Sequence, residues 1–152
     1  MKTTILTFNE LPPTLNEIIN VARRNRFASA KLKRDWGLKL TPAIKKLSKL
    51  KGEVYLECVW RVKNKNRDAD NIAAALKFPL DVLVNCKVIK DDNIKVIKSP
   101  IIHHVEISNQ EGFTLYLRDE EAFKKRLKED ISCPPANPIS GIPTKSRSQR
   151  TK

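Results

Sequence analysis

Alternating apolar and polar residues predict the strands of a small sheet. Residues 52–61 are the clearest case, with apolar side chains at every second position from Val54 to Trp60, as in a strand with one buried face. Residues 3–8 are rich in β-branched side chains, and residues 112–118 place apolar side chains on one face, so both are also expected to be strands. Residues 88–102 contain a further strand-like run at Ile94, Val96 and Lys98. Four or five strands are therefore expected.

His103 and His104 follow this last run. Neighbouring residues of a strand point to opposite faces of the sheet, so this pair is not expected to chelate one metal ion. We interpret both histidines as structural.

Helical spacing of apolar residues predicts helices before the second strand. After residue 14, Leu15, Ile18 and Ile19 share one helical face, and Thr14 with Glu17 matches a capping box. Between residues 23 and 51, apolar residues recur every three or four positions, which predicts an amphipathic helix. Because proline is favoured at the first helical position, Pro42 is expected to begin a new helical segment.

Two further helices are predicted later in the chain. Residues 68–83 have helical apolar spacing, and Pro79 lies inside that run. Because proline interrupts the backbone hydrogen bonds of a helix, a bend or break is expected near Lys77 and Phe78. Residues 119–130 resemble a short charged helix with Asp119 as its cap.

These elements predict an α+β fold with one small domain, a mixed sheet of four to five strands and two main helices. The domain is expected to span residues 1–130. Residues 131–152 contain four prolines, scattered serines and four cations without an acid, a composition typical of a disordered basic tail.

Composition limits the possible classes of protein. The 152 residues are 40% hydrophobic, which suffices for one independently folding core. The chain has no run of 18 apolar residues and no signal-peptide-like N-terminus, so a cytoplasmic protein without membrane contact is expected. Cys58, Cys86 and Cys133 are far apart and are expected to be reduced.

The net charge of +13 favours a polyanionic partner, with nucleic acid before membrane. Residues 23–51 contain eleven cations and one acid, Asp35. A basic helical face is usually only a solvated surface, but this bias favours contacts with phosphates. A polar basic link, residues 63–67, leads to the acidic residues and could lie against a DNA strand. The residues predicted to contact DNA are Arg23, Arg24, Arg26, Lys31, Lys33, Arg34, Lys65 and Arg67.

Four acids stand out in this basic chain: Asp68, Asp70, Asp91 and Asp92. Carboxylates that lie close together raise each other's pKa unless a cation lies between them. Mg²⁺ suits such hard oxygen ligands and also binds phosphate oxygens. A basic surface beside a carboxylate site for Mg²⁺ is typical of phosphodiester-cleaving enzymes. The alternative is that Asp68 or Asp70 caps a helix and that Asp91 and Asp92 form a solvated turn.

The segment Arg67-Asp68-Ala69-Asp70-Asn71-Ile72, together with the later Asp91-Asp92, resembles the core of the RusA-type Holliday-junction resolvases. Other segments resemble that family in the same order, so the likeness covers roughly residues 1–125. These segments are Leu11-Pro12-Pro13, Leu15-Asn16-Glu17, Arg23-Arg24-Asn25, Ala30-Lys31-Leu32-Lys33, Lys77-Phe78 and Leu80-Asp81.

The resemblance implies a homodimeric, Mg²⁺-dependent endonuclease that cuts four-way DNA junctions in recombination and repair. It implies that Asp68, Asp70 and Asp92 bind the metal and act in catalysis, with Asp91 as a secondary ligand. Family members carry their active-site lysine one turn closer to the motif, where this chain has Ala74, and Lys77 is the candidate here. The residues also leave open a nucleic-acid-binding module without catalysis, and a metal nuclease acting on RNA or on branched flap DNA.

Overall fold

The sheet contains four strands, of which three pair antiparallel and one is added in parallel. The computed structural model describes residues 1–132, with side chains up to residue 130. Strands β1 (Thr3–Phe8), β2 (Val54–Val62), β3 (Ile97–Ile107) and β4 (Gly112–Arg118) are arranged in the order β1-β4-β2-β3. β4 pairs antiparallel with β1 and β2, whereas β3 pairs parallel with β2. The expected α+β fold with a mixed sheet in one small domain is confirmed.

Helices connect β1 to β2 and β2 to β3, and one follows β4. They are α1 (Leu15–Arg24), α2 (Arg26–Ile44), α3 (Ala69–Ala73), a 3-10 turn (Ala74–Leu76), α4 (Lys77–Asn85) and α5 (Glu120–Ser132). The run from α3 to α4 joins β2 to β3, because parallel strands need a crossover connection. Within residues 1–132, no helix is both long enough and apolar enough to cross a lipid bilayer.

The hydrophobic core lies on one face of the sheet. Trp60 and Phe113 are fully buried neighbours on β2 and β4, with ring centroids 5.4 Å apart. Leu40 and Ile44 of α2 are buried in the same core, which confirms the apolar face predicted for that helix. Cys58 is fully buried beside Leu115, and its burial raises the pKa of the thiol far above its ordinary value.

The opposite face of the sheet contains an ionic cluster built on the buried side chains of Glu57 and Arg118, which we call the Glu57 cluster: Glu57, His104, Arg118 and Arg126. The Glu57 carboxylate accepts hydrogen bonds from Arg118 at 2.5 Å and from Arg126 at 3.1 Å, and lies 2.9 Å from His104 Nε2. Only 3% of Glu57 is exposed. Burial raises the pKa of Glu57, but the hydrogen bond from Arg126 and the charge of Arg118 outweigh it and hold this pKa below 4.5.

The Glu57 cluster joins β2, β3 and β4 to α5. The two histidines lie within β3 and point to opposite faces, as expected. His103 Nδ1 accepts a hydrogen bond from Trp60 Nε1 at 3.0 Å on the core side, whereas His104 contacts Glu57 on the other side. Both histidines therefore have structural partners.

Two expectations about element boundaries are wrong. The strand expected around Ile94, Val96 and Lys98 begins later and is longer, at Ile97–Ile107. Val88 and Ile89 are buried in the core outside any strand. They anchor the connection between α4 and β3 to the core. Pro42 does not begin a helix but lies inside α2. It lies in the last turn of the helix and has no amide hydrogen to donate to the carbonyl of Leu38, so that one helical hydrogen bond is missing.

The expected irregularity near Pro79 is present, but it begins earlier than expected. The α-helical pattern stops at Ala73, tightens into the 3-10 turn, and resumes at Lys77. Pro79 is the third residue of α4 and has no amide hydrogen to donate to the preceding turn. The expected disordered tail lies outside the described residues, apart from the end of α5.

Candidate metal and nucleic-acid site

Asp68 occupies the N-cap position of α3, yet its carboxylate does not cap the helix. Its backbone is extended, with φ −70° and ψ 137°, and its side chain makes no capping hydrogen bond. The carbonyl of Asp68 accepts the first helical hydrogen bond from Ile72. Its carboxylate meets only the side-chain amide of Asn71, at 3.4 Å. The capping alternative therefore does not account for this exposed carboxylate.

Asp70 is the second acid of the motif and is also exposed. One carboxylate oxygen, Oδ1, accepts the backbone N–H of Asn71 at 2.9 Å. Within the described residues, neither Asp68 nor Asp70 has a cationic side chain within 4.0 Å. Two adjacent acids of a strongly basic chain are thus left without a basic partner.

Asp68 lines a cavity of about 230 Å³ that also includes Glu17 and Arg67. Glu17 is the predicted cap of α1, and its carboxylate accepts the backbone N–H of Thr14 at 2.7 Å. Arg67 lies 3.5 Å from Glu111. From the sequence, Glu17 is interpreted only as part of the capping box of α1, although Leu15-Asn16-Glu17 is one of the segments that resemble the resolvase family. The structure therefore brings a third carboxylate near the motif.

Asp91 and Asp92 have different environments. Asp91 forms a turn, because its Oδ1 accepts the backbone N–H of Asp92 at 2.8 Å and its Oδ2 bonds the side chain of Asn93. This agrees with the turn interpretation for Asp91. The carboxylate of Asp92 has no hydrogen bond or ion pair within residues 1–132. Of the two acids, Asp92 is therefore the one whose carboxylate is available to bind a metal ion.

Asp92 lines a second cavity, of about 380 Å³, together with Asp81, Lys33 and Arg34. Neither cation of this cavity forms an ion pair with a described residue. One unpaired carboxylate, that of Asp92, and two unpaired cations thus line the same cavity. Such a cavity can bind a phosphate through its cations and a metal ion through its acids.

Lys77 extends towards Asp81. Its ammonium lies 3.5 Å from the Asp81 carboxylate, one helical turn away. Because the 3-10 turn separates α3 from α4, the regular two-turn alignment with Asp70 expected for a continuous α-helix is not kept. The structure places Lys77 next to an acid of the Asp92 cavity.

The acids do not form one compact cage. Residues 1–132 contain no group of three or more His, Cys, Asp or Glu side chains positioned to hold a metal ion. Mg²⁺ usually binds one or two protein carboxylates and completes its coordination with water and phosphate oxygens. The unpaired carboxylates of Asp68, Asp70 and Asp92 fit that ligand chemistry, although Asp68 and Asp92 line different cavities.

The predicted basic surface is exposed and largely unpaired. It follows the end of α1 and the first half of α2, and it includes Arg23, Arg24, Arg26, Lys31, Lys33 and Arg34. None of these six side chains forms an ion pair with a described residue. Lys65 is exposed in the link before α3, and Arg67 is the member paired with an acid.

No protein-family model matches the chain, and a search of curated proteins returns no significant match. The resemblance described above therefore rests on the order and spacing of its motifs.

Proposed function

We propose that this protein is a metal-dependent, structure-selective endodeoxyribonuclease that resolves four-way DNA junctions by paired phosphodiester hydrolysis. One observation carries this proposal. Asp68 and Asp92 have no cationic partner among the described side chains, and Asp92 shares its cavity with the unpaired cations Lys33 and Arg34. A free carboxylate beside two free cations suits a metal ion bound together with a phosphate, because the acid can bind the metal while the cations bind the phosphate oxygens.

Asp68, Asp70 and Asp92 would hold Mg²⁺, with Asp91 in a secondary role because its carboxylate is occupied in a turn. When bound, Mg²⁺ supplies an activated water and stabilises negative charge on the departing oxygen. The protein's cations bind and orient the DNA backbone. Lys33 and Arg34 hold a phosphate beside Asp92.

The proposed role of Lys77 is to neutralise charge that develops on the cleaved phosphate. Its ion pair with Asp81 is 3.5 Å long, and 56% of the Lys77 side chain is exposed. Exposed pairs of this kind hold a side chain only weakly, so the ammonium is free to turn to a phosphate. The family that this chain resembles carries its lysine at the position of Ala74, so the resemblance supports the aspartates more strongly than it supports Lys77.

The proposed functional unit is a homodimer, since two sites related by a two-fold axis suit paired cuts across a symmetric junction. The edge strand β3 supports this proposal. Val105 and Ile107 expose about half of their surface, at 45% and 52%, and the outer edge of β3 has no neighbouring strand within the described sheet. Apolar edge strands readily pair with another chain. Sedimentation of the purified protein would measure the state directly.

We further propose a cytoplasmic setting. Cys58 and Cys86 are both free thiols, which is usual for proteins of a reducing compartment.

The test is a cleavage assay with Mg²⁺ or EDTA on four-way, flap, duplex and single-stranded DNA and on RNA. We expect Mg²⁺-dependent paired cuts in the four-way junction and little cleavage of duplex DNA. Asp68→Asn should abolish cleavage, whereas the control Glu120→Gln, which alters an exposed ion pair on α5, should cut normally.

Tight junction binding without cleavage would instead favour a nucleic-acid-binding module. Preferential cleavage of flap DNA or RNA would reassign the substrate while retaining the metal-dependent nuclease.

A further inference from the structure

Phe27 is the aromatic residue most exposed to solvent. It exposes 72% of its surface, whereas every other Phe, Tyr and Trp side chain in residues 1–130 is buried or half-buried. Single exposed apolar residues are common on protein surfaces, so exposure alone has little meaning. The surroundings of Phe27 are more informative.

Phe27 lies in the most basic part of the surface. The guanidinium of Arg26 lies 5.1 Å from the centre of the Phe27 ring, within the range of a cation–π contact. Arg23 and Arg24 form the last turn of α1, immediately before it. An exposed ring among three arginines is poorly suited to an apolar protein partner, and it matches a partner that carries both phosphates and flat aromatic bases.

The backbone that presents Phe27 is held in place from both sides. Asn25 is the only residue between α1 and α2. Its backbone N–H bonds the carbonyl of Val21, which ends α1, and its side chain accepts the N–H of Ala28 at 2.7 Å, which caps α2. The backbone at the junction of α1 and α2 therefore has little conformational freedom. Less entropy is lost when the Phe27 ring binds a partner, which lowers the cost of binding.

Phe27 is aligned with the candidate site. Lys31 and Arg34 follow it by four and seven residues in α2, so the three side chains share one helical face. Arg34 also lines the Asp92 cavity. Seven residues of helix span roughly 10 Å, about three nucleotide steps of one DNA strand.

We propose that Phe27, supported by Arg26, is a base-stacking residue that recognises an unstacked nucleotide at the branch point of DNA. Stacking requires an accessible base face, which branched DNA offers and an intact duplex does not. Phe27 would thus select branched substrates, while the neighbouring cations bind any DNA backbone. This inference rests on the proposed binding of branched DNA, but not on cleavage.

The experiment measures affinity by fluorescence anisotropy in EDTA, which prevents cleavage. The probes are a four-way junction, a fork with single-stranded arms, and a fully paired duplex. Phe27→Ala should weaken binding to both branched probes by roughly 5- to 100-fold, the range expected for loss of one aromatic stack. Binding to the duplex should change less than about twofold, and the salt dependence should persist because no charge is removed.

Two variants separate stacking from other effects. Phe27→Trp should retain branched-DNA affinity, because it keeps an aromatic face. Leu38→Ala removes a 75% exposed apolar side chain from the same helical face and should have little effect. Melting temperatures close to that of the wild type would show that each variant is folded.

Equal weakening on duplex and branched probes, or no weakening, would overturn the proposal. So would a change in oligomeric state with unchanged DNA affinity, since Phe27 would then contact a second copy of the chain. If the wild type binds branched DNA through Phe27 but never cleaves it, the nuclease proposal fails and this inference stands.

Discussion

The Glu57 cluster provides a quantitative test of what stabilises this fold. Glu57 and Arg118 are both more than 90% buried, and their side chains meet at 2.5 Å. Glu57→Gln preserves the shape and one acceptor oxygen but removes the negative charge. Arg118 would then remain buried without its counter-ion, which is the costly way to break a buried pair.

The expected magnitude follows from the burial of each partner. Removing one member of a buried pair costs about 3–5 kcal/mol. Arg126 is partly exposed and also pairs with Asp130, so it can adapt, and Arg118 accounts for most of the loss. We expect a decrease of about 3 kcal/mol in the free energy of unfolding, or roughly 10 °C in Tm for a domain of this size.

Urea unfolding followed by circular dichroism measures this difference, with Glu53→Gln as the matched control. Glu53 pairs with Lys98 at 2.9 Å, but its side chain is 49% exposed, so its loss should change stability by less than about 1 kcal/mol. A Glu57→Gln variant within about 1 kcal/mol of the wild type would refute the reasoning.

The pH dependence of stability provides a second test of the Glu57 cluster. The pKa of Glu57 is lowered in the folded state, so its stabilisation is complete above the unfolded-state pKa and is lost as pH falls through the folded-state pKa. The stability gap between wild type and Glu57→Gln should therefore be constant near neutral pH and narrow below about pH 4.5. A gap that widens in acid would assign the effect to another group.

Three further predictions concern the proposed nuclease. Asp70→Asn should lower cleavage by more than about 100-fold while junction binding persists; normal cleavage would exclude Asp70 from the site. Charge reversal of Lys31, Lys33 and Arg34 together should weaken binding to all DNA sequences alike and flatten the salt dependence, each lost phosphate contact removing about 0.9 from the log–log slope. An unchanged slope would place the DNA elsewhere. Lys77→Met should reduce single-turnover cleavage without changing Tm, Mg²⁺ dependence or junction affinity, and wild-type turnover would leave catalysis to the aspartates.

Periodicity predicted the elements that have a single buried face. Every second residue of strand β2 from Val54 to Val62 is apolar because that side faces the core, and α2 repeats its apolar residues for the same reason. Periodicity placed the start of β3 too early, because Ile94 is 88% exposed and the strand begins only at Ile97. A short alternating run does not by itself show where a strand begins.

The sequence identified the acids but could not distinguish their surroundings. Asp91 and Asp92 are adjacent and chemically identical, yet one is occupied in a turn and the other lines a cavity with cations. That difference depends on the path of the chain around Asn93 and on packing of α2 against α4. The same packing brings Lys33 and Arg34 of α2 to the cavity lined by Asp81 and Asp92, which spacing alone could not predict.

Because Cys58 is buried, the reactivity of its thiol can be used to measure unfolding of the domain. A thiol that is fully buried and held protonated reacts with alkylating reagents only when β2 separates from the core. Cys86 is only half-buried, at the end of α4, and should be modified sooner. The slow alkylation rate of Cys58, read by mass spectrometry, would therefore measure the opening of the central sheet without any engineered label. The DNA ligand that we propose should slow that reaction further when bound to the folded domain, by an amount set by its affinity.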